Sequence, residues 1–544
     1  MNSVGKPMRI PIVFSQDDPD VTAIVANAIT PARTAQARWT RTPLPRRLEL
    51  VRELRRLIAE NALSLAEASA SARQRPAVES LLAEVLPVAE ACRFLERNAE
   101  KILAPQRLGQ RGLPLWLAGV RSEINREPFG VVLIIGPGNY PLLLPGAQLI
   151  QALVAGNAVL LKPGVGGTPA AQALCELIIR AGFDPQLVAL LPESPAAAAL
   201  AIAARPDKVI FTGSAATGEK ILVQLAPHLI PATMELSGCD ATIIRADADL
   251  DLVVKALVFG LTLNNGATCM SPKRAFVHRS IATELEGRLA QHFVRRPISL
   301  TPGFSPVNQV VAEETVSTVS PTNQKAAEAA QRHSANGTGL KPGANEMTSK
   351  LRPLLADALA RGAHFIVGDE QTAPVILGGV NPASRLLRED VFAPVLVIVT
   401  VADDHEAIMR VNDCPFALSA SIFSRDESTA RALATRIHSG SVTINDLIVP
   451  TADARVPFGG RGRSGFGVTR GAEGLLELTT PKVITVSRSK FRPALEPPQP
   501  GDEQMFQAYL KLTHGRGFKS RWDALVSLIR SVFRRKKSSP QDTT

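Results

Sequence analysis

Cysteine is scarce and scattered. Five occur in 544 residues, Cys92, Cys175, Cys239, Cys269 and Cys414. No two make a C-x-x-C pair and no histidine cluster accompanies them. That spacing argues against a structural zinc site and a disulfide framework, and a reducing compartment fits best. The N-terminal stretch is not expected to act as a signal peptide. The apolar stretch Ile10 to Phe14 is short, contains a proline, and runs into Asp17, Asp18 and Asp20. An unbroken membrane span is absent as well. Val131 to Leu161 carries no charge, yet Gly136-Pro137-Gly138, Pro141 and Pro145 divide it into strand, turn, helix and strand. No internal repeat is visible. Nor does a G-x-G-x-x-G follow the first βα strand, so a dinucleotide fingerprint of the usual kind is unsupported.

What is present suits a large globular protein. The length allows two or three domains with substantial cores. Hydrophobic residues make 45% and charged residues 20% of the chain, which is ordinary for such proteins. The net charge of +11 is concentrated. Lys511 to Lys537 holds nine Lys or Arg against one acid, Asp523. The basic character therefore belongs to a tail and says little about an active site.

The first hundred or so residues read as helical, with Leu50, Val51, Leu54, Leu57 and Ile58 at helical spacing. From about Ile124 strands and helices alternate. Strands are predicted at Val131–Ile135, Ala158–Leu161, Leu187–Leu191 and Lys208–Phe211. Helices are predicted around Gly146–Gly156, Thr168–Ala181, Pro195–Ala204 and from near Ser214. This alternation means a parallel sheet with helices on both faces. A second α/β region follows Glu235. It has a helix from Asp249, strands at Arg274–His278 and Val395–Thr400, and a helix after Asp403. Thr301 to Lys350 is rich in Ser, Thr, Asn, Gly and Pro and reads as a loop or insertion. Pro493 to Pro500 reads as a linker.

Three short segments carry chemistry. Phe211-Thr212-Gly213-Ser214-Ala215-Ala216-Thr217-Gly218 follows a strand and opens a helix. Glycine there lets a backbone approach a phosphate, and the helix start supplies unpaired N–H groups. Turn geometry alone also explains such glycines. Met234-Glu235-Leu236-Ser237-Gly238 closes an apolar strand with a carboxylate. Asn264-Asn265-Gly266-Ala267-Thr268-Cys269 places a thiol 34 residues later. Taken singly, each is better explained as a cap, an ion pair or a core thiol.

Taken together, these segments resemble the aldehyde dehydrogenase superfamily. So do Asn139-Tyr140-Pro141, Leu161-Lys162-Pro163, Glu389-Asp390-Val391-Phe392-Ala393-Pro394-Val395, Val442-Thr443-Ile444-Asn445-Asp446 and Pro457-Phe458-Gly459-Gly460. The likeness covers roughly Leu48 to Ile484. It implies an α/β fold: a doubly wound parallel-sheet cofactor domain, an α/β catalytic domain and a small β oligomerisation arm. The expected divisions are 1–120 and 121–234 for the cofactor domain, 235–445 for the catalytic domain, 446–490 for the return and arm, and 491–544 for linker and tail.

The resemblance implies that Cys269 adds to an aldehyde, that Asn139 holds the resulting oxyanion with the Cys269 backbone N–H, and that Glu235 is the general base for thioester hydrolysis. No metal is required. An addition step makes chemical sense, because a carbonyl carbon does not readily release hydride until a nucleophile has added, and a thiolate adds well at neutral pH. The cofactor would be NAD or NADP, held by Lys162, Gly213, Ser214, Gly218, Leu236, Asp390 and Phe392. The partners implied are a small aldehyde and copies of the chain, as dimer or tetramer, with no nucleic acid.

Several positions depart from the family pattern. Ala267 stands for glutamine, Gly138 for a bulky aromatic, Asp390 for glutamate and Ser237 for glycine. Glu389 would point elsewhere on an extended strand. Val165 stands where NAD-preferring members often carry a glutamate that repels a 2′-phosphate, so NADP remains open. Two alternatives stand beside the hydrolytic enzyme: an acylating relative using coenzyme A, against which Glu235 argues, and a catalytically weak scaffold.

In the tail, Trp522, Leu525, Val526, Ile529, Val532 and Phe533 fall at helical spacing, flanked by Arg521, Arg530 and Arg534 to Lys537. This predicts a basic amphipathic helix. Such a helix lies on an anionic membrane, or packs on its own body or a partner subunit. The protein would then be cytoplasmic, with peripheral membrane attachment as the added option.

Overall fold

The computed structural model describes residues 21–70, 75–114, 117–295, 342–370, 372–488, 495 and 497–538. The chain divides into two compact units. One holds residues 1–105 and 125–482, the other 106–124 and 483–544.

The larger unit is built on two sheets. The first has the spatial order Val188–Leu190, Ala158–Lys162, Val131–Ile135, Lys208–Gly213, Ala232–Leu236, all parallel, with Gly465–Phe466 added antiparallel at the edge. In chain order the parallel strands run 3-2-1-4-5, so the topology reverses between Val131–Ile135 and Lys208–Gly213. Ligands bind at such a switch point, outside the carboxyl ends of the strands. All five side chains of Val131–Ile135 are buried, as a strand covered on both faces requires. Full burial of one such side chain stabilises by roughly 1.5–3 kcal/mol.

The predicted elements appear within three residues of their expected ends, the largest difference being the helix expected from Gly146, which begins at Leu143, and local capping explains several of the starts. Ser214 accepts a hydrogen bond from the Thr217 N–H (3.3 Å) and caps Ala215–Leu225. Asp249 caps Leu250–Thr262 through the Asp251 N–H (3.0 Å). Asp403 caps Asp404–Asn412 through the Glu406 N–H (2.9 Å). Each side chain satisfies an otherwise orphaned donor of a first helical turn.

The second sheet runs His364–Val367, Val375–Gly378, Val395–Val401, Pro272–His278, Asp240–Ile244, Ser419–Phe423, Ser441–Ile444. Only the first pair is antiparallel. The chain passes from one sheet to the other through Ser237, Gly238 and Cys239. The carboxyl end of Ala232–Leu236 therefore lies close to the start of Asp240–Ile244. Strand Pro272–His278 pairs with the latter, which brings the segment ending at Cys269 to the same place.

Two expectations need correction. Of the stretch read as a loop from Thr301 to Lys350, residues 301–341 lie outside the described residues, but the remainder opens the helix Pro342–Ala360. A polar first half masks that periodicity, and the apolar contacts come later, at Leu354, Leu355 and Ala358. Residues 389–394 do not form an extended strand. Glu389 nonetheless faces outward, toward Arg385 at 3.8 Å.

In the smaller unit Gln106–Leu108 pairs antiparallel with residues 122–124. The Ser122 and Thr485 hydroxyls meet at 3.0 Å. The tail forms two helices, Asp502–His514 and Phe518–Ser538.

Candidate active site

A cavity of about 260 Å³ opens at the switch point. Its lining includes Asn139, Gly213, Ser214, Glu235, Leu236, Cys269, Asp390 and Phe392. Eight of the ten residues expected to act thus meet in one place, drawn from both sheets. Lys162 and Gly218 lie outside that lining. Lys162 ends the strand next to Val131–Ile135, nearly buried. Burial lowers its pKa, partly offset by the Glu193 carboxylate. Gly218 packs against Leu236, whose Cδ2 would sit 2.9 Å from a Cβ added there.

Glu235 is buried at the end of its strand. Its Oε2 accepts from Gln148 Nε2 (3.4 Å) and Thr469 Oγ1 (3.2 Å), while Oε1 is buried and has no hydrogen-bond partner among the described residues. Burial raises its pKa, and the Arg470 guanidinium, Thr469 and Gln148 oppose the rise. Arg470 is itself buried. It lies over the Phe458 ring at 4.5 Å and donates to the Thr451 carbonyl.

Cys269 is partly buried. Burial, with the charges of Glu235 and Asp240, pushes its thiol pKa well above the ordinary value. Glu235 lines the same cavity.

Asn139 Nδ2 donates to the Ala267 carbonyl at 3.1 Å, so the amide faces the loop that carries the thiol. Asn264 Nδ2 donates to the Asn139 carbonyl (3.0 Å) and the Ala267 carbonyl (3.2 Å). The loop turns through Asn264, Asn265 and Gly266 with φ of 51°, 53° and 73°. At Gly266 a Cβ would lie 2.4 Å from the Pro394 nitrogen, so only glycine fits beside the Phe392 segment. Lys273 joins the same two segments, donating to the carbonyls of Gly266 (3.3 Å) and Ala393 (2.6 Å). Burial lowers its pKa to about 8.

Gly138 has a structural reason. A Cβ there would lie 2.7 Å from the Val165 carbonyl oxygen, because the turns after two neighbouring strands pack backbone to backbone. The Val165 side chain itself is 73% exposed.

Gln148, Asn264, Lys273, Thr469 and Arg470 were not singled out from sequence. Gln148 sits as a polar residue within an apolar run, the trace that could have drawn attention to it, whereas Lys273 stands beside Arg274 and carries no such signal. Thr469 and Arg470 lie more than 230 residues from Glu235 and carry no local signal.

The two sheets thus bring a thiol, a buried carboxylate and a helix-start glycine turn around one cleft. The chain belongs to the aldehyde dehydrogenase family, whose model matches residues 21–484. It is 30% identical over 499 residues to the 4,4'-diapolycopene aldehyde oxidase of Methylomonas sp, covering 91% of this chain and 88% of the relative. A putative NADP(+)-dependent succinate-semialdehyde dehydrogenase of Mycolicibacterium smegmatis is 30% identical over 470 residues, covering 85% and 84%. Among solved structures, a putative aldehyde dehydrogenase from Burkholderia cenocepacia aligns with a TM-score of 0.73 at 27% identity, covering 86% of this chain and 92% of that one. Betaine aldehyde dehydrogenase from Staphylococcus aureus, in complex with NAD+, gives 0.72 at 25% identity, covering 86% and 88%. The protein is an NAD(P)-dependent aldehyde dehydrogenase.

Proposed function

We propose that Cys269 is the nucleophile, Glu235 the general base and Asn139 the oxyanion donor of a hydrolytic aldehyde dehydrogenase. The observation that carries this reading is that all three line one cavity together with Gly213, Ser214, Asp390 and Phe392. The cavity suits a dinucleotide. Gly213 and Ser214 stand at a helix start, where an anion is favoured, and Asp390, in the same lining, offers a carboxylate for ribose hydroxyls. Bound NAD(P) supplies the hydride acceptor.

The Cys269 sulfur bonds to the carbonyl carbon as its proton passes to solvent water and the carbonyl π electrons move to oxygen, giving a thiohemiacetal oxyanion. Asn139 Nδ2 and the Cys269 N–H stabilise that charge. Hydride departs from the same carbon and the oxyanion collapses to a thioester. Glu235 then takes a proton from water, which attacks the thioester and releases the acid and the thiol. A buried, hydrogen-bonded carboxylate at this place favours hydrolysis over transfer to coenzyme A. Replacing Cys269 by serine tests the reading: turnover falls by about a thousandfold or more while cofactor still binds, since a serine hydroxyl without a tuned base is a far weaker nucleophile. Near-normal turnover would remove Cys269 from its role.

We further propose that the enzyme works in the cytoplasm as an oligomer, docked on anionic membranes through its tail. Phe518, Trp522, Ile529 and Phe533 are exposed at positions i, i+4, i+11 and i+15 of one helix. Their neighbours are basic. That combination suits an interfacial helix. Among the described residues no helix is long and apolar enough to cross a membrane.

A further inference from the structure

The loops that carry the reaction are held by a segment the chemistry itself does not use. Ala77–Ser80 makes one helical turn, and Leu81–Val85 widens into a π-helical turn ahead of the helix Leu86–Leu103. Such widened turns are uncommon and often mark functional places. Glu84 lies on it. Arg75, just before the segment, pairs with Glu84, and their side chains are 1% and 0% exposed.

These two buried charges reach the turn that carries Asn139. Glu84 Oε2 accepts from the backbone N–H groups of Leu142 (2.7 Å) and Leu143 (3.1 Å), where the helix Leu143–Ala155 begins. Arg75 donates to the Asn139 carbonyl at 3.4 Å and lies 5.4 Å over the ring of Tyr140. The Tyr140 hydroxyl meets Thr268 Oγ1 at 2.7 Å, next to the nucleophile.

Glu79 reaches the other loop. Its Oε1 accepts from the Asn264 N–H at 2.9 Å. Asn264 opens the left-handed run, and non-glycine residues hold that conformation only where their surroundings impose it. The Asn264 amide then returns to the Asn139 carbonyl.

We infer that Arg75, Glu79 and Glu84 form a positioning clamp: Arg75 and Glu84 hold the Asn139 turn, Glu79 holds the Asn264–Gly266 turn, and together they set the spacing between oxyanion amide and thiol. This rests on the roles proposed above for Asn139 and Cys269. A buried ion pair adds little net stability over apolar packing. These charges, however, place their hydrogen bonds on the backbone of the two catalytic loops. Spacing is where the effect falls, because a misplacement of about 1 Å costs on the order of a hundredfold in rate.

The test is the single-turnover rate of cofactor reduction at saturating aldehyde, with cofactor affinity measured separately by fluorescence titration. Glu79→Ala lowers the rate about tenfold to a hundredfold and leaves the dissociation constant within about twofold of the parent. Glu79→Gln recovers most of the loss, since an amide oxygen still accepts from Asn264. Arg75→Lys keeps a charge beside Glu84 but gives up its reach to Asn139, and slows the same step at least about fivefold. It serves alone if Glu79→Ala does not fold. Parental rates in both clamp variants would overturn the inference, as would a loss of cofactor affinity that parallels the loss of rate. Asn139→Ala is measured alongside. If it is slow and the clamp variants are not, the clamp fails. If the clamp variants are slow and Asn139→Ala is not, the clamp acts through the thiol loop and the oxyanion role is what fails.

Discussion

The hydroxyl of Ser237 donates to the carboxylate of Asp390. Both residues depart from the family pattern, and the structure puts them in contact across the cavity wall. That hydrogen bond orients the acid. A hydrogen bond to a charged group contributes about 1.5–3 kcal/mol, or roughly tenfold to a hundredfold in affinity. Asp390→Ala therefore weakens cofactor binding by about that factor, and Ser237→Ala weakens it less because the charge remains. Fluorescence titration of both variants checks this. Parental affinity in Asp390→Ala would take Asp390 out of the cofactor site.

Glu235 must be ionised to take a proton from water. Burial raises its pKa, so activity is lost on the acid side at a higher pH than an ordinary carboxylate would show. Arg470 opposes that rise. Arg470→Met therefore moves the acid limb of the steady-state profile further up, by about one unit, equivalent to about 1.4 kcal/mol. An unmoved limb would mean that another group limits the acid side.

Glu235→Gln separates the two halves of the reaction. Hydride departure continues, while hydrolysis loses its base, a contribution on the order of a hundredfold to ten-thousandfold. Stopped-flow traces should show a burst of reduced cofactor and then a slow phase. Identical slowing of both phases, without a burst, contradicts the assignment.

Val165 is exposed beside the turn that packs on Gly138. A carboxylate there accepts from a 2′-hydroxyl and repels a 2′-phosphate. Val165→Glu should lower the preference for NADP relative to NAD by about tenfold, or about 1.4 kcal/mol. Unchanged relative kcat/KM for the two cofactors would show that this side chain does not face the ribose.

Removal of the chain from Pro500 onward should spare turnover of small water-soluble aldehydes and weaken binding to vesicles rich in anionic lipid. Each basic residue near such a surface contributes on the order of 1 kcal/mol. High salt should reduce the charge-driven part and leave the contribution of Trp522 and Phe533. Co-sedimentation with and without salt measures both. Truncated protein that aggregates or changes its oligomeric state would place the apolar ridge in a subunit interface instead.

The sequence by itself determined the elements and the chemistry they carry. Val131–Ile135 is a strand because five apolar side chains in a row need cover on both faces. The helices open at Ser214, Asp249 and Asp403 because those side chains satisfy their own backbone two or three residues on. Local preferences of this kind act over a few residues and survive in the linear text, as do the ordered segments around Asn139, Glu235 and Cys269. What the tertiary structure decided is the surroundings of those groups. Gln148 and Thr469 converge on Glu235 from 87 and 234 positions away, and Glu79 reaches Asn264 across 185. No local pattern records such pairings. Nor does it record burial, which raises the proton affinity of both Glu235 and Cys269, because desolvation depends on everything that packs around a group.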